Sequence, residues 1–194
     1  MTKSTLTYRT LFTLTIFFLF FFNFANGQIK KGEFINISIG FGISASYDED
    51  DIIGTGFYAQ GEYVYGLTTW FSARPYAGLL LTSADNNKIT DNQPAYKVTT
   101  NAFLAGIKGR LIAPIPWVAP FFEIGVGASA GSFETFTPLT DIQKKGVVMH
   151  LPISIGLALG PKNNIEIEFT YYYHDSLQQF GGASAFGITF PIND

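Results

Sequence analysis

The sequence predicts an all-β protein: an eight-stranded antiparallel up-and-down transmembrane β-barrel, preceded by a cleavable signal peptide. Three observations lead to this fold class. Eight stretches alternate large apolar side chains with small or polar ones at a period of two. Most of these stretches are longer than the five or six residues usual for a soluble strand. Only 14% of the residues are charged, against about 25% in ordinary soluble domains. Strands of about 9–11 residues with a lipid-solvated exterior account for all three observations.

The first 27 residues have the features of a secretory signal peptide. Lys3 and Arg9 precede an almost continuous apolar run over 11–24, and small residues follow as far as Gly27. A retained membrane anchor is the alternative, but the run is shorter than the roughly 20 apolar residues of a transmembrane helix. We therefore expect Sec-type export, cleavage after Gly27, and one barrel domain over 28–194.

The exported chain is mildly acidic. Without Lys3 and Arg9, ten basic residues stand against fifteen acidic ones, a net charge of −5. This balance argues against a nucleic-acid partner. Because the chain has no cysteine, disulfides and thiolate metal sites are excluded. We expect no cofactor.

The first two predicted strands are 34–47 and 57–65. In the first, one parity carries the apolar residues from Ile35 to Tyr47, and the other parity is mostly Asn, Ser and Gly. In the second, Phe, Ala, Gly and Tyr oppose Tyr, Gln, Glu and Val. The acidic stretch 48–51 between them predicts a polar loop.

The next two predicted strands are 70–81 and 101–112, separated by the longest polar connection, 83–100. The first of them follows a tight reversal that begins at Gly66. It contains Pro75, and since proline removes a ladder hydrogen bond we expect a local bulge there. In the second, Phe, Ala, Ile, Gly and Leu alternate with Leu, Gly, Lys and Arg.

The fifth and sixth predicted strands are 118–131 and 147–160. A turn over 113–117 precedes the fifth, and its two prolines stop the ladder. Large apolar residues alternate with Glu, Gly and Ser in the fifth strand, and with His, Pro, Ser and Gly in the sixth. The polar stretch 132–146 between them predicts a second long loop.

The last two predicted strands are 165–174 and 183–192. A turn over 161–164 precedes the seventh, in which Ile, Phe and Tyr alternate with Glu, Thr and His. A short loop through 178–182 leads to the eighth. The connections thus alternate long and short around an even number of strands, which is typical of transmembrane barrels.

Aromatic residues support this arrangement. With eight strands both chain termini lie on the periplasmic side, together with the shorter connections. Trp70 and Trp117 then flank periplasmic turns, where an interfacial aromatic girdle is expected. Tyr171 and Tyr173 would belong to the opposite girdle.

Charged residues decide which parity faces inward. A Lys or Arg on the lipid face near the midplane costs about 2–4 kcal/mol, so the parity of the small residues must line the interior. Unpaired buried charge is costly, so we predict interior salt bridges and, in so narrow a barrel, no wide channel. The alternative is a soluble barrel of lipocalin type with its apolar parity inward. The predicted interior network comprises Glu62, Arg74, Lys108, Arg110, Glu123, Glu166 and Glu168.

The pattern resembles the small eight-stranded outer-membrane barrels of Gram-negative bacteria, the OmpA/OmpX-like group. In the last strand, Gly187, Phe190 and Ile192 resemble the C-terminal signal of such barrels, although Ala185 replaces a usual polar residue and 193–194 extend past the usual aromatic end. The resemblance implies a monomer integral to the bacterial outer membrane. It also implies recognition by the barrel-assembly machinery and contact with outer-membrane lipid.

Two groups of residues raise the question of chemistry. The His-x-Ser spacing of His174 and Ser176 is similar to the motif of outer-membrane lipid A deacylases, although Leu177 replaces that family's asparagine and the parity of His174 points to the interior. The acidic stretch 48–51 could hold a divalent cation through carboxylate oxygens, but it lacks the spaced ligands of a calcium loop, so we predict no metal site. We interpret His150 as an interior polar residue.

The sequence as a whole favours a non-enzymatic function. We expect a non-enzymatic outer-membrane barrel with a structural or surface-interaction role through its external loops. An alternative is a lipid A deacylase-like hydrolase that uses Ser176 as nucleophile and His174 as base. A narrow ion-conducting pore is a third possibility.

Overall fold

The computed structural model describes residues 31–47, 52–84 and 96–192, which form a closed barrel of eight antiparallel strands. Each strand pairs with its neighbours in sequence, and the last closes against the first. The predicted eight-stranded antiparallel up-and-down β-barrel is thereby confirmed. The predicted signal peptide and the acidic stretch 48–51 lie outside the described residues. The strands are β1 Gly32–Ser46, β2 Ile53–Gly66, β3 Phe71–Ala84, β4 Lys97–Ile112, β5 Trp117–Phe136, β6 Asp141–Gly160, β7 Ile165–His174 and β8 Gln179–Pro191.

The two ends of the barrel differ. At one end, short connections over 67–70, 113–116 and 161–164 join the strands, and we name it the turn end. The opposite end, which we name the loop end, holds residues 137–140 and the short 3₁₀ helix Asp175–Leu177. None of the helical segments in the described ranges has the length and apolar character to cross a membrane.

The register tilts the strands relative to the barrel axis. A path along paired residues from Glu33 crosses Ala73 and Ile153 and returns to β1 at Ile43, ten residues further along. Such a stagger accompanies a strand tilt of about 35–45°. As a consequence, residues far apart in the chain meet at one level of the interior.

The large apolar side chains point outward. In β1, for example, Ile39 is 57% exposed and Phe41 is 78% exposed, whereas Ser38 and Ser44 of the other parity are buried. The same alternation runs around the barrel, because a period of two places successive side chains on opposite faces. The apolar parity therefore faces outward, and the lipocalin-type alternative is wrong.

Several strands are longer than predicted. β5 and β6 continue to Phe136 and Asp141, so the loop predicted over 132–146 is wrong, and these residues form a hairpin that projects at the loop end. β4 begins at Lys97, which shortens the connection predicted over 83–100. β2 and β8 likewise begin four residues before their predicted starts, at Ile53 and Gln179. In these extensions both faces are largely polar or small, which hides the alternation from a hydrophobic pattern.

Pro75 does not form the predicted bulge. The β2–β3 ladder is interrupted beside it, yet it resumes at Tyr65 and Ala73 in the same register as at Glu62 and Tyr76. On its other side, Pro75 pairs with β4 without a break. A missing N–H therefore opens one ladder locally, with no extra residue on either strand.

Candidate functional site: the polar interior of the barrel

The seven predicted interior charges are all buried, and six of them form one ion-paired network. At the turn end, Arg110 donates through Nη1 and Nη2 to the two carboxylate oxygens of Glu166, at 2.7 and 2.8 Å. Its Nε donates to Glu123 at 2.5 Å, and its guanidinium lies 3.6 Å from the ring centroid of Phe121. A planar guanidinium is suited to this forked geometry.

Arg74 and Lys108 extend the network to the middle of the barrel. Arg74 reaches Glu62 at 2.6 Å, Glu123 at 3.2 Å and Glu166 at 3.4 Å. The Nζ atom of Lys108 lies 2.5 Å from Glu62 and 2.6 Å from Glu123. Every cation thus contacts at least two carboxylates, which offsets the desolvation cost of burial. The network spans the lumen.

A group of three carboxylates could in principle hold a metal ion. Oxygen atoms of Glu62, Glu123 and Glu168 lie within 4.8 Å of one another, and all three residues are buried. However, the ammonium group of Lys108 already lies between the first two. The chain supplies its own cation at this position, so we assign no metal to it.

Neutral hydrogen bonds continue from the ion pairs towards the loop end. Gln60 donates to Glu62 at 2.8 Å and accepts from the hydroxyl of Tyr172 at 2.8 Å. The hydroxyl of Tyr172 also lies 2.9 Å from that of Tyr58. Sequence reasoning placed Gln60 and Tyr58 on the inward parity without assigning them a role.

A second chain of hydrogen bonds joins both histidines. Tyr76 is hydrogen-bonded to Nε2 of His150, whose Nδ1 lies 2.7 Å from the hydroxyl of Ser129. That hydroxyl also lies 2.9 Å from Nε2 of His174. His150 is buried in the interior, where the sequence predicted it. Sequence reasoning missed Ser129, because a serine among interior glycines carries no signal of its own.

Apolar side chains close the interior at the loop end. Leu80, Leu104 and Phe133 are buried in one cluster with Leu177 of the 3₁₀ helix. The hydroxyl of Thr135 donates to the backbone carbonyl of Leu177 at 2.9 Å and thereby holds the helix over the lumen. With ion pairs in the middle and this cluster above them, side chains fill the barrel along its axis.

The structure does not bring His174 and Ser176 together. His174 is fully buried and faces Ser129, whereas Ser176 is exposed and lies 3.4 Å from Nζ of Lys144. A nucleophile and its base must lie within hydrogen-bond reach of each other. The geometry of a serine–histidine pair is therefore not formed by these residues.

The predicted interface aromatics lie at both ends of the outer surface. Trp70 and Trp117 are exposed at the turn end. Near the loop end, the ring of Tyr171 stacks on Phe180 at 5.0 Å, and the ring of Tyr173 lies 5.7 Å from that of Tyr47 (ring centroids). These aromatic rings cover the outer face of β7, β8 and β1.

The predicted assembly residues lie on β8 or directly after it. Gly187 is buried, and Phe190 is 50% exposed on the outer face beside Ile35. The backbone N–H of Ile192 donates to the backbone carbonyl oxygen of Glu33 at 3.1 Å. The three residues therefore belong to the seam at which the barrel closes.

Polar residues occupy the outer face of the projecting hairpin. Lys97 lies 2.8 Å from Glu134, and Gln143 donates to the same carboxylate at 2.8 Å. The hydrogen bond from Lys97 lowers the pKa of Glu134 below its usual value. Lys145 lies on the same outer face, and no ion pair involves it within the described ranges.

Comparisons with known proteins give matches in structure alone. No family model matches the sequence, and no curated protein matches it. A Neisserial surface protein, NspA, shares 12% identity at a TM-score of 0.58, over 83% of this chain and 97% of that chain. The attachment invasion locus protein Ail of Yersinia pestis shares 16% identity over 83% and 100% of the chains, with a TM-score of 0.46. The N-terminal barrel domain of Pseudomonas aeruginosa OprF shares 13% identity over 83% and 100%, with a TM-score of 0.49. The chain has the fold of the small eight-stranded outer-membrane β-barrels.

Proposed function

We propose that this chain is a non-enzymatic integral protein of the bacterial outer membrane, with a structural or surface-interaction role at its loop end. One observation carries the proposal: apolar side chains cover the exterior of the barrel while its charges are paired within. In water this distribution would expose far more apolar surface than a soluble monomer tolerates. In a bilayer, acyl chains solvate the apolar exterior, and the closed barrel pairs the backbone N–H and C=O groups.

The location implies the partners. Outer-membrane lipid contacts the apolar band, and the barrel-assembly machinery recognises β8 after Sec-type export. Among the described residues, the closed ladder leaves no strand edge within the band, which supports a monomer.

Two features support a role without chemistry. His174 is buried in the lumen whereas Ser176 is exposed at the loop end, and the lumen is filled by ion pairs and by the cluster around Leu177. In the described part of the chain, both histidines are thus shielded from a substrate, with His150 2% and His174 0% exposed. The projecting hairpin, by contrast, offers Leu139 at 75% exposure and a polar outer face to the surroundings.

An epitope inserted after Leu139 tests the location and the orientation. If the loop end faces the medium, antibody binds intact cells that carry this insertion, because the hairpin turn projects beyond the membrane. A matched insertion after Lys162, in a turn at the opposite end, becomes accessible only after the outer membrane is permeabilised. Recovery of the full chain in the soluble fraction, or the opposite pattern of labelling, contradicts the proposal.

Mass spectrometry of lipid A tests the absence of hydrolase activity. We expect identical acyl chains in wild-type cells, a deletion strain and a Ser176→Ala strain. Loss of an acyl chain only in cells with intact Ser176 would instead establish the hydrolase.

A further inference from the structure

The outer face of the projecting hairpin changes from apolar to polar at one level. Along β4, β5 and β6, paired outward residues Phe103, Ala130 and Val147 form the last apolar row. Val147 is 68% exposed. The next outward row towards the loop end consists of Asn101, Ser132 and Lys145.

This change marks the level of lipid headgroups, an argument that rests on the proposed membrane location. The apolar band of a transmembrane barrel is about 25 Å tall, and headgroups lie directly beyond it. The same step occurs on neighbouring strands, from Leu81 to Ser83 and from Phe57 to Thr55. Around the opposite side of the barrel, aromatic rings such as those of Tyr47 and Phe180 cover this level instead.

Charge complementarity identifies the occupant. On the outer face of the hairpin, Glu134 is engaged by Lys97 and Gln143. The ammonium group of Lys145, in contrast, has no ion-pair partner in the described part of the chain. A lysine at headgroup level without a carboxylate partner attracts the anionic groups of the membrane surface.

The surrounding groups suit a phosphate. A polar cleft of about 290 Å³ lies at this place, and its lining includes Asn101, Ser132, Gln143, Lys144 and Lys145. Glu134 also lines it, and its carboxylate is already paired with Lys97. Amide and hydroxyl groups donate hydrogen bonds to phosphate oxygens, and the ammonium group contributes its charge. Below the cleft, exposed Val147 and Met149 offer the acyl chains an apolar surface.

We propose that Asn101, Ser132 and Lys145 form a binding site for the phosphorylated headgroup of an outer-leaflet lipid. The lipid lies against β4–β6 with its phosphate in the cleft and its chains along Val147 and Met149. The site anchors the hairpin at the membrane surface. It also distinguishes this face of the barrel from the aromatic face of β7, β8 and β1.

Native mass spectrometry of the full exported chain in detergent micelles tests the site, with lipid A that carries two phosphates as the probe. We expect Lys145→Ala to weaken binding about tenfold, because a charge-assisted contact is lost. Lys145→Arg keeps the charge and retains binding. Lys162→Ala, which removes an exposed lysine at the turn end, leaves the affinity unchanged.

Lipid A without phosphates and free inorganic phosphate identify the source of the anion. Weak binding of the dephosphorylated lipid, and no displacement by millimolar phosphate, support a headgroup site. Equal affinity of wild type and Lys145→Ala, equal affinity for both lipids, or displacement by inorganic phosphate alone overturns it.

The folding state separates failure of this site from failure of the proposed function. Heat-modifiable mobility and a β-sheet circular dichroism spectrum in detergent establish that each variant is a folded barrel. A folded barrel that binds lipid A without Lys145 overturns only the headgroup site. A chain that is monodisperse without detergent overturns the membrane location and the site together.

Discussion

Lys108 is a single cation shared by two buried carboxylates. Its Nζ lies 2.5 Å from Glu62 and 2.6 Å from Glu123. Glu62 and Glu123 also contact arginines, but without Lys108 the interior holds four carboxylates against two cations. We therefore expect Lys108→Met to lower the free energy of unfolding by about 3–5 kcal/mol, because buried negative charge is then in excess. Urea-induced unfolding in lipid vesicles measures this loss.

The charge origin of that effect can be separated from the loss of packing. Adding Glu62→Gln to the Lys108 variant removes part of the uncompensated charge and should recover stability. Lys162→Met, at an exposed turn, is the control and should change stability by less than about 0.5 kcal/mol. No recovery in the double variant would argue against an electrostatic cause.

Gly127 leaves room for the hydrogen bond between Tyr76 and His150. A Cβ atom at this position would collide with the hydroxyl of Tyr76 and with the histidine ring. We expect Gly127→Ala to cost about 1–3 kcal/mol through overpacking. The control is Gly61→Ala: an added Cβ there points outward, and its nearest atom is 4.0 Å away. Thermal unfolding of both variants in detergent measures the difference in stability. Equal stability of the two variants would contradict this account.

The charged residues of the interior could be predicted from the sequence, but the ion pairs that they form could not. Alternation places Arg110 and Glu166 on the inward parity, and the cost of charge in lipid selects that parity as the interior. Which carboxylate meets which cation depends on the stagger of ten residues around the barrel, which no local pattern encodes. Ser129 could not be singled out for the same reason, since its two histidine partners come from other strands.

At the scale of the strand, the proposed recognition of β8 by the assembly machinery makes a prediction about one of its side chains. Phe190 lies half exposed on the outer face at the closing seam. If Phe190 belongs to the proposed recognition signal, Phe190→Ala should reduce the amount of assembled barrel in cells. Heat-modifiable mobility of outer-membrane fractions measures the assembled share.

A matched variant separates recognition from stability. Phe169 of β7 is 58% exposed on the same outer face, so Phe169→Ala removes a comparable lipid contact away from the C-terminal strand. We expect it to assemble at the wild-type level, and both purified variants to refold equally well in detergent. If the two variants assembled alike in cells, β8 would hold no such signal.

The lengths of the strands show where sequence patterns stop being informative. Inside the apolar band, each strand can be recognised from its alternation, because a lipid-facing surface requires large apolar residues on one face. Above the band, Phe133 and Thr135 still point inward while Ser132 and Glu134 point outward, but a water-exposed hairpin needs no apolar outer face. The sequence pattern therefore predicts a loop where β5 and β6 in fact extend.

At Pro75 the sequence predicts an irregularity that the structure lacks, because a proline can interrupt a ladder without shifting its register.

At the scale of the whole molecule, the fold follows from one opposition, between an apolar exterior and a charged interior. The number of strands, their order and the closed barrel could all be predicted from alternation and from the lengths of the connections. The structure adds that the interior is packed from the ion pairs to the cluster around Leu177. In the proposed membrane location, a filled lumen and an apolar exterior confine interactions with water-soluble partners to the two ends of the barrel.

A charged substitution on the outer apolar band distinguishes a lipid-facing barrel from a soluble one. Ile39 is 57% exposed on the outer face near the middle of β1. If lipid surrounds it, Ile39→Arg should lower the free energy of unfolding in phosphatidylcholine vesicles by about 2–4 kcal/mol, since an arginine at the bilayer midplane loses its hydration. Leu139→Arg is the matched control: this residue is 75% exposed in the hairpin turn, and the change should stay within about 0.5 kcal/mol. Urea titrations of both variants in the same vesicles provide the measurement. An Ile39 variant as stable as the Leu139 variant would mean that water, not lipid, surrounds the band.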